Sequence, residues 1–311
     1  MPIVSPSNMD FSQKHIIIIL TGMPGTGKST LGCSAHKVLL CDFDEGLPRL
    51  KPEHRVDASI CKTYEEFLAD IKAAEGKYET IVIDTCGALI ELMKEWAMRT
   101  DPKASKSNGG FSLQGYGIIK SEFIRLSAEL RKKFNVVFLF HEQMSKNGDE
   151  GVFYDLVVEG SAKTLVYQPA DLAGHVFIDH GKRYIGFTPT EQYSAKSAYG
   201  IKGIIEVPEL NDGDPNDFLA KLFDKVRKNL AAESKTLNAE QKKYEEALAE
   251  AKGLVALLEK PEEVSDCVKT IKALDHALTS EKEAMAMVKA KLADLGIVWD
   301  KSKKAYVWKE E

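Results

Sequence analysis

Apolar positions fall in short unbroken runs through most of the chain: "HIIIILT" at 15–21, "KVLLCD" at 37–42, "TIVID" at 80–84 and "NVVFLF" at 135–140. These runs are too short for independent helices, and they lack the alternation of a strand with one wet face. A parallel sheet covered on both sides requires this pattern. Between the last two runs, "GIIKSEFIRLSAELRKKF" brings Ile118, Ile119, Phe123, Leu126 and Leu130 to near-helical spacing, which predicts a helix packed on the sheet. Later runs, "HVFIDH" at 175–180, "RYIGFT" at 183–188 and "GIIEVP" at 203–208, follow one another closely and extend the sheet as hairpins. The fold class expected is α/β, with a mainly parallel sheet flanked by helices.

The texture changes after Pro215. From about Asn229 to Leu295 the chain is rich in Ala, Glu, Lys and Leu, interrupted at Lys260-Pro261, where a proline opens a second helix. Leu237, Gln241, Tyr244, Leu248, Ala251, Val255 and Leu258 alternate spacings of four and three. So do Val264, Cys267, Ile271, Leu274, Leu278, Glu281, Met285, Val288 and Leu292, and only Gln241 and Glu281 spoil the two seams. Facing seams joined by a proline turn predict an antiparallel, coiled-coil-like helical hairpin. "GIVWDKSKKAYVW" then reads as two short strands around Asp300 to Lys303. The expected division is a core over 1–228, a helical hairpin over 229–295 and a β-hairpin tail over 296–311.

Composition narrows the function classes. With 44% hydrophobic and 29% charged residues the chain can bury a sizeable core. A net charge of −5 argues against coating duplex DNA by bulk positive charge, so any nucleic-acid contact has to be local. Cys33, Cys41, Cys61, Cys86 and Cys267 are scattered without Cys-x-x-Cys pairing, which suggests neither zinc nor a disulfide framework and makes a reducing cytoplasm the default expectation. The apolar run Ile16–Leu20 is too short for a membrane segment, and no membrane association is expected.

The first strand runs into "GMPGTGKST", which fits G-x-x-x-x-G-K-S with Gly22, Gly27, Lys28 and Ser29. Glycines let the backbone wrap closely enough for its N–H groups to meet phosphate oxygens, and the following helix adds the positive end of its dipole. Lys28 is placed to reach the β- and γ-phosphates of ATP, and Ser29 to ligate Mg²⁺. Asp84, ending the strand "TIVID", either anchors the metal or caps the next turn. After the second strand, Asp42, Asp44 and Glu45 either orient an attacking water or are solvated turn acids. His141, Glu142 and Gln143 reach the same sheet edge, where one of them senses the γ-phosphate or merely caps the strand.

In this order of parts the chain resembles RecA-like ATPases, and more closely the phage nucleotide-binding proteins of the AAA group, which include Sak-type single-strand annealing ATPases. The resemblance spans about residues 14–207. It implies a RecA-like core, ATP and Mg²⁺ as cofactors, ATP hydrolysis, DNA recombination work, and a homo-oligomer. Gly22, Gly25, Thr26, Gly27, Lys28, Ser29 and Thr30 carry over as nucleotide-binding residues, with Ser29 and Asp84 as metal ligands. The catalytic set it implies is Lys28, Asp84, Glu142 and one acid of Asp44 and Glu45. RecA-like enzymes place a glutamate two residues after the strand-end aspartate, a register that here holds Asp44, with Glu45 one step late.

Two irregular segments occupy the family's DNA-facing positions. "RTDPKASKSNGGFSLQGYG" carries Arg99, Lys103 and Lys106 with Phe111 and Tyr116, and "QMSKNGDEGVFYDLVVEGSAK" carries Lys146 and Lys163. Cations would meet phosphates while bases stack on the aromatics; a lid or a subunit contact is the competing reading. Lys182, Arg183 and Lys196 lie where related enzymes send cations into a neighbour's nucleotide. The expected function is thus ATP-driven work on single-stranded DNA, with a single-strand binding protein or a helicase as further partner. The alternatives are a P-loop kinase of a small phosphate acceptor and a nucleotide-gated helicase loader.

Overall fold

The computed structural model describes residues 14–146, 151–158 and 166–309. The chain divides into two compact units, whose described residues run from Lys14 to Asn229 and from Leu230 to Lys309.

The first unit is the expected α/β core. Its elements are β1 (Ile17–Gly22), α1 (Lys28–Gly32), β2 (Val38–Asp42), β3 (Asp57–Ser59), α2 (Tyr64–Ala74), β4 (Thr80–Asp84), α3 (Cys86–Thr100), α4 (Leu113–Arg131), β5 (Asn135–Lys146), β6 (Val152–Leu156), β7 (Leu172–Asp179), β8 (Lys182–Gly186) and β9 (Ile204–Val207). They form one 9-stranded sheet in the order β3-β2-β4-β5-β1-β7-β8-β9, with β6 on the extension of β5. From β3 to β7 the pairing is parallel, and β8 and β9 add antiparallel edges. The central strands read as continuous apolar runs because helices bury both faces. Ile17, Ile19, Ile81, Ile83, Val136 and Phe138 pack under α2, α3 and α4. Across the sheet, α1 lies so close that a Cβ on Gly32 would meet Val82 at 2.9 Å.

Side-chain caps fix where helices begin. Thr63 and Glu66 form a reciprocal capping box at α2, Thr85 accepts from Ala88 N at α3, and Ser112 accepts from Gly115 N at α4. At the opposite end of the sheet from the phosphate loop, buried Asp171 accepts from Ile17 N at 2.9 Å and pairs with Lys14 at 2.8 Å and Arg131 at 3.0 Å. Burial alone would raise this carboxyl, but these partners and Tyr199 outweigh it and hold it below the usual range.

The long helix α5 (Phe218–Ala256) begins well before the composition change near residue 229. Its first residues belong to the core: Leu219 N donates to Ser34 Oγ at 2.9 Å, and Leu219, Phe223 and Val226 are buried. In the second unit, the remainder of α5 is joined by α6 (Pro261–Lys272), α7 (Ser280–Leu295), β10 (Ile297–Asp300) and β11 (Ala305–Trp308). The helical pairing at the proline turn is present, with Lys243 and Asp275 bridged at 2.7 Å. The expected single second helix is a correction: the seam from Val264 to Leu292 is split at Ala273–Thr279. Leu278 takes a left-handed φ of 53°, and the His276 ring meets Ile271 O at 2.6 Å and Ser280 Oγ at 2.9 Å, in place of continued helix hydrogen bonds. Leu237 and Leu278 are exposed, so the buried seam is shorter than its apolar spacing implies.

These boundaries set an expectation for truncation. A chain ending at Asn229 should give a cooperative thermal transition for the core. One ending at Asn216 should lose roughly 4.5–9 kcal/mol, because Leu219, Phe223 and Val226 each contribute roughly 1.5–3 kcal/mol by burial. Equal stability of the two truncations would overturn this placement of α5.

Candidate functional site

Parallel strands bring their carboxyl ends to one edge, and the register decides which residues meet there. Gly22 pairs with His141, and Asp42 with Asp84. β5 lies between β1 and β4, so the phosphate loop and Asp84 are separated by one strand rather than adjacent.

The loop after β1 carries Gly25 and Gly27 at φ 83° and 84°, a conformation that non-glycine residues rarely adopt. Lys28, 5% exposed, folds its ammonium back onto the carbonyls of Gly22 at 2.8 Å and Met23 at 3.0 Å. Burial pushes this lysine down to about 8, while Asp84, Glu142 and Asp44 nearby oppose the shift. Asp84 is also buried, and burial pushes it up to about 6 against a hydrogen bond from Ser29. Asp44 and Asp42 raise it further and Lys28 lowers it. The two proposed metal ligands, Ser29 and Asp84, therefore already meet.

The acids after β2 separate by geometry. Asp42 accepts from Gly46 N and Leu47 N, both at 2.8 Å, and is occupied in holding its own turn. Asp44 leaves a buried Oδ1 without a hydrogen-bond partner and lies within electrostatic reach of Lys28 and Asp84. Glu45 is exposed, at a left-handed φ of 55°. His141 is held below its ordinary value, by burial first and then by Lys28, partly offset by Asp44. Glu142 is buried, with Oε2 standing 2.8 Å from Nδ1 of His175 on β7. Gln143 is exposed one position further out.

Two features escaped the sequence reading, Arg49 and a cavity, and a third residue, Arg183, was expected to act on a neighbour's nucleotide. Arg183 Nε donates to Thr26 O at 2.6 Å, and its guanidinium covers Gly27, so this cation serves the phosphate loop of its own chain. Its neighbours do not: Lys182 pairs with Glu206, and Lys196 donates to Ala170 O. Arg49 donates to Asp44 O at 3.1 Å and reaches to 3.7 Å from Asp44 Oδ2, which brings a second arginine to the site. A cavity of about 220 Å³ opens beside Gly27 and Leu31, lined by Val207, Pro208, Leu210 and Phe218. No spacing motif marks these residues, because they come from chain segments far from the phosphate loop.

The first expected DNA segment is an ordered loop. Arg99 is engaged with Glu65 at 2.9 and 3.0 Å, which ties the end of α3 to the first turn of α2 and places the loop at the carboxyl edge of the sheet. Phe111 and Tyr116 pack edge to face, with ring centroids 5.0 Å apart. Lys103 and Lys106 are exposed and have no ion pair among the described residues. In the second segment, Lys146 is exposed at the end of β5, whereas Lys163 lies outside the described residues.

Residues 14–199, well over half of the chain, match the AAA domain family. Among solved structures, flagellar accessory protein FlaH from Methanocaldococcus jannaschii is similar at 13% identity, over 63% of this chain and 91% of that chain, with a TM-score of 0.31. A search of curated proteins finds no match. No helix among the described residues is long and apolar enough to cross a membrane.

The raised Asp84 has a stability consequence of definite sign. Its value in the fold, about 6, lies above the ordinary 3.8, so between these pH values the folded state holds a proton that the unfolded state has released. Stability therefore falls as pH rises through this window, by about 3 kcal/mol at neutral pH. Asp84→Asn should raise the thermal stability of the nucleotide-free protein at pH 7.5, with the difference closing near pH 4. A variant less stable than wild type at pH 7.5 would show that Asp84 carries no such strain.

Proposed function

The chain belongs to the AAA domain family, and from that premise we propose that it hydrolyses Mg²⁺-bound ATP and applies the energy to single-stranded DNA, in recombination or replication of the phage type. The observation that carries the hydrolysis reading is the convergence of Lys28, the Ser29–Asp84 pair and the unsatisfied Asp44 Oδ1 on one edge of the sheet. Two basic or metal-ligating groups and one acid free to accept a proton are what phosphoryl transfer to water needs.

The residues fit the nucleotide. Backbone N–H groups of the glycine loop and the ammonium of Lys28 bind phosphate oxygens, while the Thr26–Arg183 hydrogen bond holds the loop in shape. Ser29 and Asp84 would hold the metal, which would supply positive charge to the phosphates of a bound nucleotide. The apolar cavity beside Leu31 and Phe218 receives the base. Asp44 takes the role of general base, because it faces the site and Glu45 faces solvent; Glu142 senses the γ-phosphate through its proximity to Lys28.

Support for the DNA part is the position of Lys103 and Lys106, exposed cations on the same edge as the site. The kinase reading is weakened by one ion pair: Arg99, the sole arginine of the lid candidate, is committed to Glu65. The resemblance supports assembly as a homo-oligomer, and a single-strand binding protein or a helicase is the further partner that work on single strands would call for.

Turnover measured with single strands, duplex and nucleoside monophosphates separates the readings. Lys28→Ala should abolish hydrolysis in a folded protein. Asp44→Asn should bind ATP normally and turn over about 10²-fold more slowly or worse, whereas Glu45→Gln should be mild; the reverse pattern moves the role to Glu45. Lys103→Ala with Lys106→Ala should weaken single-strand binding and lower its salt dependence, since every phosphate that a lysine neutralises releases counterions. Basal turnover should persist, and unchanged single-strand binding would remove this loop from the DNA site.

A further inference from the structure

The connection between β2 and β3 carries Arg49, Lys51 and Arg55, and its geometry sends them to different tasks. Asp42 anchors the connection by accepting from Gly46 N and Leu47 N, and Pro48 stiffens the single 3-10 turn Leu47–Arg49 that follows. Arg55 braces it from behind, with Nε on Leu50 O at 3.1 Å and a terminal nitrogen on Pro48 O at 3.0 Å. Lys51 reaches Asp212 at 3.4 Å and Glu53 at 3.9 Å. Only Arg49 of the three folds back onto the acid that faces the phosphate loop.

Its hold on that acid is loose. One terminal nitrogen donates to Asp44 O at 3.1 Å, while the other stands 3.7 Å from Asp44 Oδ2, longer than a close ion pair, and the side chain is 70% exposed. A guanidinium has further N–H donors, so this arginine is placed at the site with binding capacity to spare. Its charge is felt deeper in the edge as well: Arg49 is among the groups that hold His141 low, and His141 pairs in register with Gly22 at the start of the phosphate loop.

Hydrolysis develops charge where such a group is useful. As the water oxygen bonds to the γ-phosphorus, the bond to the β,γ-bridging oxygen breaks, the water proton passes to Asp44, and negative charge collects on the bridging and γ-oxygens. Lys28 is tied to the loop side by the carbonyls of Gly22 and Met23, and Arg183 attends the loop backbone through Thr26 O. Arg49 is the cation on the Asp44 side.

We propose that Arg49 is a further catalytic residue, an arginine supplied by the same chain that meets the γ-phosphate of bound ATP and stabilises its charge during transfer to water. This rests on the reading of the site as a hydrolase.

Turnover and equilibrium nucleotide binding, measured side by side on the full chain, test it. Arg49→Ala should lower kcat about 10³-fold, the scale of an arginine acting on a transferred phosphoryl group, with KM for ATP changed far less. In titrations it should narrow the preference for a non-hydrolysable ATP analogue over ADP by about tenfold or more, because only the analogue offers a γ-phosphate. Arg49→Lys keeps the charge without the fork and should fall between wild type and Arg49→Ala in both measurements. Lys51→Ala removes another cation of the same connection and should change neither. Mixing Arg49→Ala with Lys28→Ala should restore no turnover, since both groups serve the site of their own chain. Wild-type kcat and analogue preference in Arg49→Ala overturn the proposal, as does an equal loss in Lys51→Ala or turnover restored by mixing. A wild-type chain that binds ATP without hydrolysing it would sink the hydrolase reading instead, and the analogue preference would still decide whether Arg49 meets the γ-phosphate.

Discussion

A lysine ammonium buried at the carboxyl edge of a parallel sheet is the interaction around which the core is arranged. Taking the Lys28 charge out of water is costly, and the fold answers with two loop carbonyls at hydrogen-bond distance and three carboxylates further off. None of those three acids closes on the ammonium as a salt bridge. The positive charge is therefore held in place yet left to be neutralised by something else, and a polyphosphate is the group whose size and charge match. The same burial raises Asp84, so the site stores unfavourable electrostatics that the proposed metal and nucleotide would relieve.

Holding such a loop requires that β1 be fixed at both ends. At its start, Asp171 gathers Lys14, the Ile17 N–H and Arg131 into one buried network, which joins β1, the end of α4 and the approach to β7. At its finish, Arg183 reaches from β8 to a carbonyl of the phosphate loop. The antiparallel edge of the sheet thus has a task beyond extending it: β8 delivers a cation to the phosphate loop. Insertion of β5 between β1 and β4 does the rest, bringing His141 and Glu142 level with the loop while Asp84 approaches from one strand further away.

Much of this was legible in residue order. Unbroken apolar runs marked the buried strands, and "TIVID" coincides with β4 over Thr80–Asp84. The glycine loop is a local device whose backbone requirements are written in consecutive residues. By contrast, Asp44 and Glu45 are indistinguishable as letters; a left-handed backbone at Glu45 turns one outward and leaves the other facing Lys28. The split between α6 and α7 was hidden for a similar reason. Spacing of four and three continues through Leu274 and Leu278, but His276 takes hydrogen bonds that a continuing helix would have made.

What the sequence by itself determined is whatever depends on neighbours along the chain: strand and helix type, the phosphate loop, the capping of α2 by Thr63 and Glu66, and the change of character in the C-terminal region. What only the tertiary structure decided is whatever depends on residues far apart meeting. Arg183 lies 157 positions from Thr26. Asp171 lies 154 from Ile17. The apolar cavity joins Leu31 to Val207 and Phe218. Periodicity records which face of an element is buried, because that repeats every two or 3.6 residues. It carries no record of which distant charge will lie against that face, since a single long-range pairing leaves no repeat in the sequence.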